Sequence, residues 1–182
     1  MGVRVAGNAA NIPPMLRRGL HMTAILVLGL AFSQNAVGQN QGTTCSNPSL
    51  KCDSTYSFAP YQLPFVIKEK LVFGKTYKSV LFYAVILKSV KTSEESDCTF
   101  VTEEERVAAQ SEFADRKVFT SKHSCPEELV LYENVDPSFN FMAVYAGTTS
   151  AAAKRLLSRV RTTGRYPQAY IKQLRVVLEY ST

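Results

Sequence analysis

His123 and Cys125 stand two residues apart, and the only other histidine is His21. A thiol or hydroxyl nucleophile needs a base within hydrogen-bond reach, so covalent hydrolysis would have to reside at this pair. Cys125 is one of four cysteines, however, and is expected to be bridged, which removes the nucleophile. Paired carboxylates of the glycosidase kind would have to come from Glu94, Glu95, Glu103, Glu104, Glu105, Glu127 or Glu128. These cluster at a helix start and in loops, where they read as caps and solvated faces. The stretch AGTTSAAAK (146–154) has one glycine and lacks the G-x-x-x-x-G-K-[ST] spacing of a phosphate loop. A helix N-terminus there could attract an anion, as any helix start could. The chain is therefore read as non-enzymatic, with no cofactor and no metal site.

The cysteines, Cys45, Cys52, Cys98 and Cys125, form an even set that suits an oxidising compartment. They allow three pairings. The expected ones are Cys45–Cys52, closing a small loop, and Cys98–Cys125, flanking one helix and strand. A zinc site is the rival, but there is no C-x-x-C pair, and His123 is the only histidine past the leader. Residues 1–38 read as that leader and signal peptide, starting at Met1 or, better, Met15. Arg17 and Arg18 precede an apolar run, Thr23–Phe32, too short to span a bilayer comfortably, and Ala36-Val37-Gly38 supplies the small residues of a cleavage site. The alternative is an uncleaved anchor. Cleavage after Gly38 would leave a periplasmic or secreted bacterial protein with no stable membrane span.

Charge is unevenly spread along the remainder. Residues 39–137 hold 11 basic and 14 acidic side chains, whereas residues 138–182 hold 7 basic ones and a single acid, Glu179. The basic segment centres on a predicted helix, and its cations serve either as a solvated face or as a patch for an acidic partner.

The elements that must carry these residues follow from periodicity. Residues 39–59 read as a disulfide-stapled irregular arm, and 59–80, with Pro60, Pro64 and Gly74, as a lead-in with one short strand or turn. LFYAVILKSV (81–90) is a strand. Thr102 and Glu105 form a capping box opening a helix whose narrow stripe is Val107, Ala108, Ser111 and Ala114, with Phe113 at its edge. Strands over 116–124 and 127–135, paired around Pro126, come next. FNFMAVYAG (139–147) is another strand. Ser150 then caps a helix running to Thr163, with Gly164 as its stop and Ala153, Leu156, Leu157 and Val160 as its apolar stripe. A last strand covers 168–180. The whole is an α+β, βαββαβ split-βαβ (ferredoxin/RNP-like) single domain over 81–182, with two helices on one sheet face and the arm at 39–80.

FYAVILKS (82–89) and FMAVYAGT (141–148) share Phe-x-Ala-Val, each before a loop and a helix. With that order, residues 82–177 resemble the SPOR (sporulation-related repeat) family: strand, glycine turn, Ala- and Leu-rich helix, Gly164, then YPQAYI into the last strand. The resemblance implies an exported βαββαβ domain that binds peptidoglycan glycan strands on its open sheet face. Alternation leaves Phe82, Ala84, Ile86, Lys88, Phe141, Ala143 and Tyr145 on that face, with Tyr83, Val85, Leu87, Met142 and Val144 under the helices. Phe82, Lys88, Phe141 and Tyr145 are the candidate ligand residues. Their aromatics either stack on sugar rings or pack beneath the 59–80 lead-in. The partner is then a peptidoglycan glycan or an envelope protein docking on the sheet face or the basic helix. Nucleic acid is not expected, since the aromatic-glycine signature of RNA-binding sheets is missing.

Overall fold

The computed structural model describes residues 41–92, 100–123, 125 and 127–181. Its strands are β1 (Gln41–Gly42), β2 (Lys75–Ser79), β3 (Phe82–Lys91), β4 (Val118–Thr120), β5 (Val130–Glu133), β6 (Phe139–Gly147) and β7 (Tyr170–Tyr180). Two helices, α1 (Glu103–Glu112) and α2 (Ser150–Thr162), follow β3 and β6. The architecture is α+β, with one mixed, curled seven-stranded sheet forming a half-barrel.

β2 and β3 lie end to end along β7. Tyr77 pairs with Leu178, and Phe82 pairs with Leu174, so both strands run antiparallel to the same neighbour. β6 takes the other side of β3, and β4 the far side of β6. β5 pairs with the remaining edge of β7, from Val130–Leu178 to Glu133–Arg175. With β1, β2 and β5 added, the sheet as a whole departs from the expected four-stranded ferredoxin-like order. The expected pairing of β5 with β4 is corrected by it, because β5 crosses to the opposite end. β1 runs parallel to β2. It approaches closely through Gly42, where a Cβ would meet the Val66 carbonyl oxygen at 2.1 Å.

Each face of the sheet carries its own core. On the convex side, Val85, Leu87, Met142, Val144 and Ala146 pack against Ala109 of α1 and Phe113 at its C-cap, and against Ala153, Leu156 and Val160 of α2. On the concave side, Phe82, Ala84, Ile86, Phe141, Ala143 and Tyr145 pack against Leu63, Phe65 and Ile67 of the arm and against Val130 and Tyr132 of β5. The arm is thus part of the core. Cys45–Cys52 is a disulfide, as expected. Cys125 is disulfide-bonded as well, and Cys98 lies outside the described residues, as does the leader.

Both helices start on threonine caps. Thr102 Oγ1 accepts from the Glu105 N–H, and Thr149 Oγ1 accepts from the Ala152 N–H. The second cap therefore falls one residue before the expected Ser150. Gly164, at φ +71°, supplies the left-handed residue that ends α2. The expected stripe of α1 is displaced. Val107, Ala108, Ser111 and Ala114 face solvent, while Arg106, Ala109 and Phe113 are buried. Arg106 is buried because Glu103 holds its guanidinium at 2.6 and 2.8 Å, a pairing that hydrophobicity does not reveal. The Glu105 carboxylate serves Lys88, at 3.0 Å, in place of closing a capping box.

Candidate functional site

Three of the four residues expected to meet ligand are interior. Phe82 is 0% exposed, Phe141 3% and Tyr145 8%. The Phe82 and Tyr145 rings stack at 5.4 Å, and Thr44 of the arm donates a hydrogen bond to the Tyr145 hydroxyl at 3.3 Å. Of the two fates open to these aromatics, packing beneath the lead-in is the one observed. Burying Leu63, Phe65 and Ile67 contributes about 2 kcal/mol each. An aromatic stack returns about 1 kcal/mol, so lifting the arm to admit a sugar is unfavourable.

Lys88 lies on the other side of the sheet. The register of β3 against β6 shifts between Ile86 and Lys88, which moves Lys88 off the Phe82–Ala84–Ile86 row. Its ammonium reaches Glu105 and the Phe100 carbonyl on the helix side. This half-exposed ion pair is worth at most about 1 kcal/mol. His123 packs edge-on against Tyr132 at 6.2 Å, and burial pushes its imidazole toward the neutral form. The Cys125 thiol is not available to it as a nucleophile, since that cysteine is bridged. Among the described residues, no cluster of three metal-ligating side chains occurs, and no helix is long and apolar enough to cross a membrane.

The concave face is left uncovered at one end, and there it forms a cleft of about 220 Å³. Ile86 and Phe141 make its floor. Phe139, Tyr170, Lys172 and Asp136 make its walls. The cleft exists because β5 pairs only with the second half of β7 and does not reach Tyr170 and Lys172 at its start. Tyr170 is 45% exposed, which is unusual for an aromatic on an inward row. Asp136 accepts from the Ser138 hydroxyl at 2.6 Å and its N–H at 2.9 Å, and these bonds hold its carboxyl below the usual range. An aromatic plane beside a cation and a fixed carboxylate suits a polar ring with hydroxyl groups.

Tyr170 and Lys172 escaped the sequence reading, although a signal was present. On the last strand the inward row is Tyr170, Lys172, Leu174, Val176, Leu178, and it turns polar at its start. That change marks where the face opens.

The second exposed surface is the outer side of α2. Lys154, Arg155 and Arg161 face solvent. Arg159 is tied to Asp115 at 3.0 Å, and Arg165 beyond the helix is tied to Glu112 at 3.0 Å. No family model matches the chain, and neither a curated protein nor a solved structure matches it.

Proposed function

We propose that the chain is an exported, non-enzymatic binding module of the bacterial cell envelope that takes a peptidoglycan glycan in the cleft at the open end of its sheet. The observation that carries the reading is Tyr170, exposed beside Lys172 on a sheet row that is otherwise core. The resemblance to SPOR domains supports it. So does the inner strand order β7-β3-β6-β4, in which each helix follows a central strand in the split β-α-β manner. The cleft has room for about one sugar ring, so contact is confined to the end of the sheet.

Sedimentation with amidase-treated murein sacculi tests this. The expected outcome is co-sedimentation above an albumin control, reduced about tenfold by Tyr170→Ala and by Lys172→Glu. Co-sedimentation unchanged in both variants would remove the cleft from consideration. The second reading is an envelope protein partner docking on α2, and it is favoured by Lys154, Arg155 and Arg161 facing solvent. Under that reading a specific partner is lost with Arg155→Glu/Arg159→Glu and retained with Tyr170→Ala.

A further inference from the structure

We propose a second site: the cleft between the start of α1, the end of β4 and the Pro60–Tyr61 turn binds a tetrahedral oxyanion, with phosphate as its simplest form. The cleft encloses about 280 Å³ and lies among residues that the glycan reading does not use.

Two cations line it, Arg106 and Lys122. Arg106 on α1 is 6% exposed, and its Nε and Nη2 are taken by Glu103. Its Nη1 makes only a long contact, 3.4 Å, to the Val118 carbonyl. Lys122, past the end of β4, makes no ion pair among the described residues, and its ammonium rests 3.9 Å from the centre of the Tyr61 ring. Lys117 lies outside the lining and donates to the Pro60 carbonyl at 2.6 Å. Arg106, with Lys117 and Lys122 at longer range, holds the Glu103 carboxyl below its usual range. Three cations thus gather around one carboxylate.

An independent observation comes from the cleft wall. Thr120 lines the cleft and is 4% exposed, and its Oγ1 has no hydrogen-bond partner. Buried hydroxyls are nearly always paired, so an unmatched one at a cationic cleft marks a place for an acceptor. The α1 N-terminus adds its dipole to the same opening. Glu103 already occupies the Arg106 fork, which leaves no bidentate seat for a planar carboxylate. The donors that remain, Thr120 Oγ1, Lys122 Nζ and Arg106 Nη1, come from separate elements. A tetrahedral oxyanion can accept one bond from each, and Arg106 and Lys122 against Glu103 leave one positive charge in the lining to meet it.

The test is an amide-shift titration of the ¹⁵N-labelled protein with inorganic phosphate at constant ionic strength, with acetate and glycerol 3-phosphate as parallel arms. Saturable shifts at Thr120, Lys122 and Glu103 are expected with phosphate and absent with acetate. Lys122→Gln should weaken binding about tenfold. Thr120→Val should weaken it about threefold without lowering the unfolding midpoint, because it removes an unpaired buried hydroxyl. Tighter binding of the ester than of phosphate would assign an esterified ligand, and the reverse the free ion; either supports the site. Shifts that do not saturate, equal binding of acetate, or full affinity in Lys122→Gln would overturn it.

Discussion

The ring of Phe119 on β4 stacks on that of Tyr132 on β5, 5.4 Å apart and 28° from parallel, although these strands stand at opposite ends of the sheet. The contact is possible only because the sheet curls, bringing its two edges together over the concave core. Phe141 and Phe82 meet the same ring of Phe119 edge-on, at 6.1 and 6.2 Å. Phe119→Ala should therefore cost about 3–5 kcal/mol, the range for a fully buried aromatic. Tyr132→Phe keeps the stack and loses only the hydroxyl that accepts from the Leu63 N–H, which predicts about 1 kcal/mol. Urea unfolding midpoints measure both. A Phe119→Ala cost below about 1 kcal/mol would mean that the sheet ends are not held by this contact.

The Cys45–Cys52 bridge closes a loop of sequence separation 7, so in the chain-entropy picture it contributes about 2 kcal/mol. Its position gives it a second role. The Cys45 N–H donates to the Pro64 carbonyl, and the Ser46 carbonyl accepts from the Lys117 N–H at the edge of β4. The loop thereby fixes the segment that places Leu63 and Phe65 on the sheet. A Cys45→Ser/Cys52→Ser chain is expected to lose about 2 kcal/mol and to bind more of a hydrophobic dye before global unfolding. A loss without early dye binding would restrict the bridge to its entropic effect.

Local patterns in the sequence were sufficient where neighbours in the chain decide the structure. FNFMAVYAG forms a strand over its full length, and α2 buries Ala153, Leu156 and Val160 as its spacing requires. Alternation also sorted Val85 and Met142 from Phe82 and Phe141 onto opposite faces. Three features were hidden for identifiable reasons. The shift that carries Lys88 across the sheet is a property of the pairing of β3 with β6, and nothing in β3 alone encodes it. Leu63, Phe65 and Ile67 do alternate, but Pro64 and the apolar Val66 between them mask the period. The docking of β5 on β7 joins residues more than 40 positions apart, and that choice governs which part of the concave face stays open. The candidate cleft depended on this last point: the polar start of the β7 row hints at an open end, but which residues wall it beside Tyr170 and Lys172 follows only from the fold.

Lys117 gives a pH signature. Burial, followed by the nearby Arg106 charge, lowers its ammonium from the ordinary lysine range to about 8. The unfolded chain holds that proton to about pH 10.4. Between these values the unfolded state binds more protons than the folded one, so folding stability rises with pH across this window. Below pH 8 both states are charged and the cost of burying the ammonium is fully present. Lys117 is partly solvated, and after screening the gain is about 1 kcal/mol. Comparing unfolding midpoints at pH 7.5 and pH 10 in wild type and Lys117→Met measures it. The wild type should gain about 1 kcal/mol relative to the variant, and parallel pH profiles would place the lysine in water.

Arg106 is the most buried member of the ion pairs among the described residues, its side chain 7% exposed, while its partner Glu103 lies half in water. That asymmetry sets the outcome of a double-mutant cycle. Glu103→Gln leaves a buried guanidinium with only the Val118 carbonyl and a neutral amide near it, and should cost about 1–3 kcal/mol. Arg106→Met removes the charge and retains the apolar stem against the helix core, so it should cost less, about 1 kcal/mol. The double variant should lie close to Arg106→Met alone, because the carboxylate is then free to hydrate. The pH dependence has a fixed sign. Hydrogen bonding to Arg106 lowers the Glu103 carboxyl, so its contribution is present above the unfolded value of about 4.3 and is lost as pH falls through the lower folded value. Urea unfolding at pH 7 and pH 3 reads both effects. Equal costs for the two single variants at pH 7, with strict additivity in the double, would show that the pair is not coupled and that α1 is held on β4 by packing alone.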